Sequence, residues 1–252
     1  MIGAREFRER RKRSGKEPGK TAKGLPLACI VENDPMLLRV SDNVARPADT
    51  RIEAALLGGF VLLAIALGIA PRSRVDWLLE NVLAVALVLA LVLAYRRFRL
   101  SSFSLVMIFA FLCIHEVGSH YTYSRVPYDQ WSTLLTGVSV NKVLGLERNH
   151  YDRLVHLSYG LLMVWPMREV LLRLTPLRGA WLVLMTLNVV LATSALYELI
   201  EWVGGAYLGD DTGQAFVGAQ NDPWDSQKDM ALALFGAGLS LLMLAGWRRA
   251  QR

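Results

Sequence analysis

Six predominantly apolar blocks of 17 to 25 residues, separated by more polar connections, limit what this chain can become. They are Ala54–Ala70, Trp77–Tyr95, Ser101–Gly118, Leu154–Leu172, Gly179–Val203 and Met230–Trp247. The first and last carry no charge at all, and the second is interrupted only by Glu80 and Asn81 near its start. Such lengths match a bilayer's hydrocarbon core at 1.5 Å rise per residue. Inside hydrocarbon the backbone must satisfy its own hydrogen bonds, so each block is expected to be a helix. A soluble helical core would show amphipathic stripes, which these blocks mostly lack. The expected fold class is all-α: a polytopic membrane protein with about six transmembrane helices over residues 51–250.

Composition agrees: 53% of residues are hydrophobic, only 20% are charged, and mean hydropathy is +0.31. Soluble domains lie near 45–50% apolar with about a quarter charged. The net charge of +6 is held entirely by residues 1–24, which carry nine Lys/Arg against three Asp/Glu. Residues 1–50 are therefore expected to be a basic, mostly disordered cytoplasmic segment. Arg10–Arg13 could open a signal peptide, but the polar run 14–24 supplies no apolar core, so none is expected to be cleaved. A basic tail beside a membrane attracts anionic headgroups. Nucleic-acid binding is not expected, because the tail has no aromatic platforms. Two cysteines cannot build a disulfide scaffold.

Connection charge gives an orientation. Twenty-one Lys/Arg fall on the side of the two termini and of the 96–100 and 168–178 connections, against seven on the other. Both termini are expected to be cytoplasmic. Cys29 and Cys113 would then lie toward opposite faces and not pair.

With that topology, four helix ends meet on the non-cytoplasmic side. One ends in His115, Glu116 and His120; one begins with Asn149 to His156; one finishes Tyr197-Glu198-Leu199-Ile200-Glu201; one is entered through Asn221 to Asp229. All four histidines of the chain are in this set. Asp152 and His156 share a helical face at four apart, as do Glu198 and Glu201 at three. Asp225 and Asp229 align if the last helix starts early, with Pro223 suited to its first turn and Asp222 to its cap. A charged group within a bilayer costs roughly 2.5–3.5 kcal/mol on insertion scales, so such residues normally face partners or water. A shared polar pocket explains the convergence. Individually, Asp222 and Asp225 could simply be caps, Arg153 an interfacial partner of Asp152, Glu198 a solvated carboxylate, and Asp210 with Asp211 an exposed turn. The tyrosines and tryptophans here suit an interfacial belt. Gly58-Gly59 and Gly236-Ala237-Gly238 permit close helix packing, within or between chains.

At these residues the chain resembles the YjdF family of bacterial inner-membrane proteins, whose function is unknown. The likeness rests on His115-Glu116, His120-Tyr121-Thr122-Tyr123, the 149–156 and 197–202 segments, and Gly218 to Met230, and covers roughly residues 55–247. More distantly, Asp152-Arg153-x-x-His156, Glu198-x-x-Glu201 and Asp225 with Asp229 are similar to a VanZ-like pattern. There Arg replaces Lys, Glu201 replaces Gln and Asp229 replaces Asn. That likeness implies architecture more than activity.

The pocket's chemistry suggests two functions. One is a metal-assisted hydrolase or transferase acting on a lipid or lipid-linked headgroup. His120, Asp152, His156 and Glu198 or Glu201 would be ligands, with Glu116 or Asp229 as general base and His115, Asp222 and Asp225 nearby. Mixed nitrogen and oxygen donors suit Zn²⁺, Mn²⁺ or iron, and an all-oxygen shell Mg²⁺. The other is a non-enzymatic transporter, a lipid or small-molecule binder, or an accessory subunit, in which the same groups carry protons or a cationic ligand. Neither a compact catalytic motif nor an inverted repeat decides between them. Membrane lipids are the expected partners, and the oligomeric state is left open.

Overall fold

The computed structural model describes residues 46–208, 213 and 217–250, so the basic segment 1–50 lies outside them except for 46–50, as do Asp210 and Asp211. Every regular element among the described residues is helical. Six long helices follow the six apolar blocks: α1 (Thr50–Gly68), α2 (Arg74–Ala94), α3 (Ser102–Tyr121), α6 (Tyr151–Leu174), α7 (Gly179–Leu208) and α8 (Asp225–Ala250). A single 3₁₀ turn, Tyr123–Arg125, and two short helices, α4 (Tyr128–Thr136) and α5 (Val140–Leu144), fill the long connection between α3 and α6.

Local chemistry sets where these helices begin. Asp49 accepts from Arg51 N–H at 2.9 Å, Ser73 Oγ from Asp76 N–H at 3.2 Å, and Ser101 Oγ from Ser104 N–H at 3.3 Å. Each side chain satisfies a first-turn donor that would otherwise lack a partner. Between α4 and α5, the Asp129 carboxylate gathers Ser139 Oγ and Asn141 N–H, which ties the two short helices together.

Five helices (α1, α2, α3, α7 and α8) are long and apolar enough to cross a membrane. Large apolar side chains such as Leu62 and Leu93 stand on their outer surfaces, as lipid contact requires. The helix from the fourth apolar block, α6, is not among the five. It carries Asp152, Arg153 and His156 near one end and Arg168, Glu169 and Arg173 near the other. At 24 residues it is about 36 Å long and could still span. Its position explains its composition: α6 packs against α3, α7 and α8, so much of its surface never meets lipid. Around it, α1 and α2 lean on α3, and α8 also contacts α7.

The tightest crossing is between α6 and α8. A Cβ at Gly160 would lie 1.9 Å from the Ala233 carbonyl oxygen and 2.8 Å from Ala237 N. On the other side, a Cβ at Gly236 would lie 2.4 Å from the Leu157 carbonyl oxygen. Ala233, Ala237, Val164 and Val190 are fully buried around this contact. Apolar surface gives little drive between helices already in lipid, so close backbone approach through small residues holds them instead. Gly236 thus serves contact within the chain, while Gly58 and Gly238 face open space.

The end of the bundle near Leu100 shows a fully satisfied buried carboxylate. Glu169 of α6 accepts from Ser101 N–H (2.8 Å), Ser101 Oγ (2.6 Å) and Ser104 Oγ (2.5 Å), and pairs with Arg173. It thereby caps α3 from another helix, where a negative charge also meets the positive end of the helix dipole.

Gly160→Ala should destabilise the protein by about 1–3 kcal/mol, because the α6–α8 crossing must open to admit the methyl group. Gly238→Ala should leave stability unchanged. Monodisperse protein remaining after a heating series in detergent measures both, and equal midpoints for the two variants would refute the crossing.

Candidate functional site

At the opposite end of the bundle, five helices deliver buried polar side chains to one level. These are Asp76, Glu80 and Asn81 from the start of α2; His115, Glu116 and Ser119 from the end of α3; Asp152 and His156 from the start of α6; Glu198 and Glu201 from α7; and Asp225 and Asp229 from the start of α8. Helical spacing brings the pairs together: 152 with 156, 198 with 201, and 225 with 229 each share a face.

His156 is the hub. Its Nε2 lies 3.7 Å from Asp152 Oδ1 and 3.3 Å from Glu198 Oε1. Asp152, His156 and Asp229 each offer one ligand atom, all within 4.8 Å of one another, and all three residues are buried. Asp229 Oδ1 and Glu198 Oε1 have no hydrogen-bond partner, although buried polar atoms rarely go without one. Glu80 and Glu201 stand close enough to interact electrostatically with Asp152. The Tyr197 hydroxyl donates to Glu80 Oε2 at 2.6 Å and so links α7 to α2.

A second polar pair depends on unusual backbone. Thr122 follows α3 with φ +62°, a conformation β-branched residues rarely adopt. Its hydroxyl donates to Asp76 Oδ2 at 3.2 Å. The chain then turns so that the Tyr123 ring lies over Gly118, where a Cβ would come within 2.8 Å of it. The Tyr123 hydroxyl and His115 Nδ1 consequently share a 2.5 Å hydrogen bond.

Above the acids lies an ionic cover. Arg153 pairs with Asp222 (2.5 Å) and Asp225 (3.3 Å). Arg148 pairs with Asp225 and lies 3.8 Å from Asp222, and Lys228 reaches Asp222 at 2.6 Å. The Gln220 amide bonds to both N–H and C=O of Asn149, joining the loop before α8 to the start of α6. The Lys228 ammonium, then the Trp224 N–H and Arg153, hold the Asp222 carboxyl well below the usual aspartate range. Partial burial and the nearby Arg153 and Arg148 charges lower the His150 imidazole pKa, favouring its neutral form.

Beneath the acids, between α2, α3, α6 and α7, lies a cavity of about 300 Å³. His115, Tyr123, His156 and Tyr197 line its polar end, and Leu87, Leu112, Met163 and Met167 are among its apolar walls. Its volume is at the low end for small-molecule sites.

The structure gathers Asp152, His156, Glu198, Glu201 and Asp229 from the expected set. His115 adjoins them along the cavity wall, while Asp222 and Asp225 belong to the ionic cover. His120 is elsewhere: its Nδ1 bonds to the Leu67 carbonyl of α1 at 2.7 Å, and its ring meets Tyr121 edge-on. Past Gly118 the helix does continue, but position 120 then points toward α1, away from α6. Glu116 is fully buried against Asn81 and Trp77 of α2, and neither carboxylate oxygen has a partner at hydrogen-bonding geometry. It is not part of the His156 group. Sequence reasoning missed Asp76, Glu80, Tyr123 and Tyr197. The signal for Glu80 was present, since the second block was apolar but for Glu80 and Asn81, and that block starts on the side where the third ends.

A family model described as "Predicted membrane protein (DUF2238)" matches residues 52–250. The inner membrane protein YjdF of Escherichia coli (strain K12) is 37% identical over 185 residues, covering 73% of this chain and 84% of that protein. No solved structure matches.

Because the folded-state pKa of Asp222 is depressed, its ionised form contributes stability in full above the ordinary value of 3.8. That contribution is lost as the pH falls from there through the lower folded-state pKa. Asp222→Asn should therefore melt below wild type at neutral pH, with the gap closing in acid. A gap that widens in acid would contradict the ionic cover.

Proposed function

This chain belongs to the DUF2238 family of predicted membrane proteins and is a multi-pass protein of the inner membrane, and we propose that its buried acid–histidine cluster holds a divalent cation and performs hydrolysis or group transfer on a lipid or lipid-linked headgroup. The observation that carries this reading is the convergence of Asp152, His156 and Asp229, with ligand atoms within 4.8 Å of one another. Several buried carboxylates around one imidazole need positive charge, and the nearby Arg148 and Arg153 are engaged by Asp222 and Asp225. One nitrogen with carboxylate oxygens suits Mn²⁺, Fe²⁺ or Zn²⁺ better than Mg²⁺. The partnerless Oδ1 of Asp229 is available to such an ion.

A divalent cation held by Asp152, His156 and Asp229 would supply Lewis-acid polarisation of an ester or phosphoryl oxygen of the headgroup. Glu198, 3.3 Å from His156, takes the proton of the attacking water or hydroxyl and returns it to the leaving oxygen. Asp152, His156 and Asp229 would hold the ion, and the Arg148 and Arg153 pairs close the site from the aqueous side. His120 has no part in this arrangement.

The same reading has six spans, with α6 as the sixth, both termini cytoplasmic and the cluster at the outer face. It is supported by the excess of Lys/Arg on the side of the termini.

Elemental analysis of detergent-purified protein should find about one Mn, Fe or Zn per chain, lost in His156→Ala and in Asp229→Asn. Monodisperse wild-type protein that neither retains nor binds any of these ions would overturn the metal reading. A green fluorescent protein fused after Arg252 should fluoresce and alkaline phosphatase fused there should be inactive; the reverse would overturn the orientation.

A further inference from the structure

The cavity beneath the acids is elongated. Along α6 its lining runs from Val155 to Met167, which at 1.5 Å per residue is roughly 18 Å. One leaflet's share of the hydrocarbon core is about 15 Å. The slot therefore starts at the acid–histidine level and descends about as far as one lipid chain does. His115, Tyr123, His156 and Tyr197 line one end, Tyr159, Thr193 and Ser194 the middle, and Met163 and Met167 the other end.

The slot also has a side door. α2 and α7 do not pack closely along their lengths. Above the slot the Tyr197–Glu80 hydrogen bond joins them. Leu83 of α2 and Leu196 and Ile200 of α7 line the slot and are also exposed on the outer surface. Midway down, Ser194 is 1% exposed and its Oγ has no hydrogen-bond partner, although it faces the slot.

We propose that the ligand of this site is an amphiphile with a single hydrocarbon chain that enters laterally from the outer leaflet between α2 and α7. Its chain lies in the slot and its polar end reaches His156. This proposal rests on the preceding reading for the chemistry at the polar end, but the chain-binding slot stands without the metal. Two chains do not fit a cavity of about 300 Å³. Flexible methionines and exposed leucines give a wall that adapts to chain length.

The probe is hexadecanol bearing a diazirine near its methyl end, whose uncharged hydroxyl needs no metal. Photolysed with the full-length protein in nanodiscs, it should label α6 between Val155 and Met167 and α7 near Ser194. Unlabelled hexadecanol should compete. Ala84→Trp, which fills the slot from α2, should reduce this labelling about tenfold while leaving metal content unchanged. If that variant does not fold, Met163→Phe serves the same purpose. Labelling spread over lipid-facing α1 and α2, or unaffected by filling the slot, would overturn the proposal. Metal-free protein that still labels in the slot would overturn only the metal reading.

Discussion

An ionisable group in hydrocarbon must find a partner, a proton or water, and this fold is arranged around that requirement. Its most polar long helix, α6, is the one the other helices surround. The surrounding is possible because Gly160 and Gly236 let α6 and α8 approach at backbone distance. Had those positions carried side chains, the two helices would stand apart. Asp152 and His156 on one and Asp229 on the other would then not share a cluster. Close packing in mid-membrane therefore sets the geometry of the polar end.

The two ends of the bundle make an internal comparison. Near Leu100, Glu169 is buried, and its oxygens receive a backbone N–H, two serine hydroxyls and an arginine. That carboxylate is complete as it stands, and its task is to cap α3. At the other end Asp229, Glu198 and Glu116 are equally buried but carry oxygens without partners. Burial is common to both ends, whereas only one set is left unsatisfied. An unsatisfied buried carboxylate costs stability, and such costs persist chiefly where a function uses them.

Much of this was legible in the chain. The six apolar blocks mark the six long helices, and the pairs at 152/156, 198/201 and 225/229 meet because helical spacing and a shared membrane side leave them little choice. His120 shows the limit of that reasoning. Its membrane level could be read from sequence, but its direction depends on how α1 packs on α3, a contact between residues 53 apart. Tyr123 was hidden by a different rule. Aromatic residues near a membrane face are expected as belt residues, and only the strained Thr122 and the open Gly118 turn Tyr123 back toward His115. Glu80 escaped notice because one acid in an apolar block looks like an isolated exception until its helix end is placed beside the others.

The distribution of polarity also bears on which function the cluster serves. A transport path needs polar stepping points across the hydrocarbon, alternately open to each side. Here the acids and histidines end at the level of His115 and His156. Below them the walls carry no ionisable acid or histidine: Tyr159, bonded to Thr193, and Ser194 are followed by leucine and methionine, and the Glu169 assembly at the far end is closed on itself. A transported ion would meet a slot without any charged side chain there. In the proposed role a lipid would meet matching surfaces in order instead: exposed leucines at the side, a slot for its chain, and carboxylates with an imidazole for its headgroup. That sequence of surfaces favours an amphiphile worked on from the membrane over a solute carried through it.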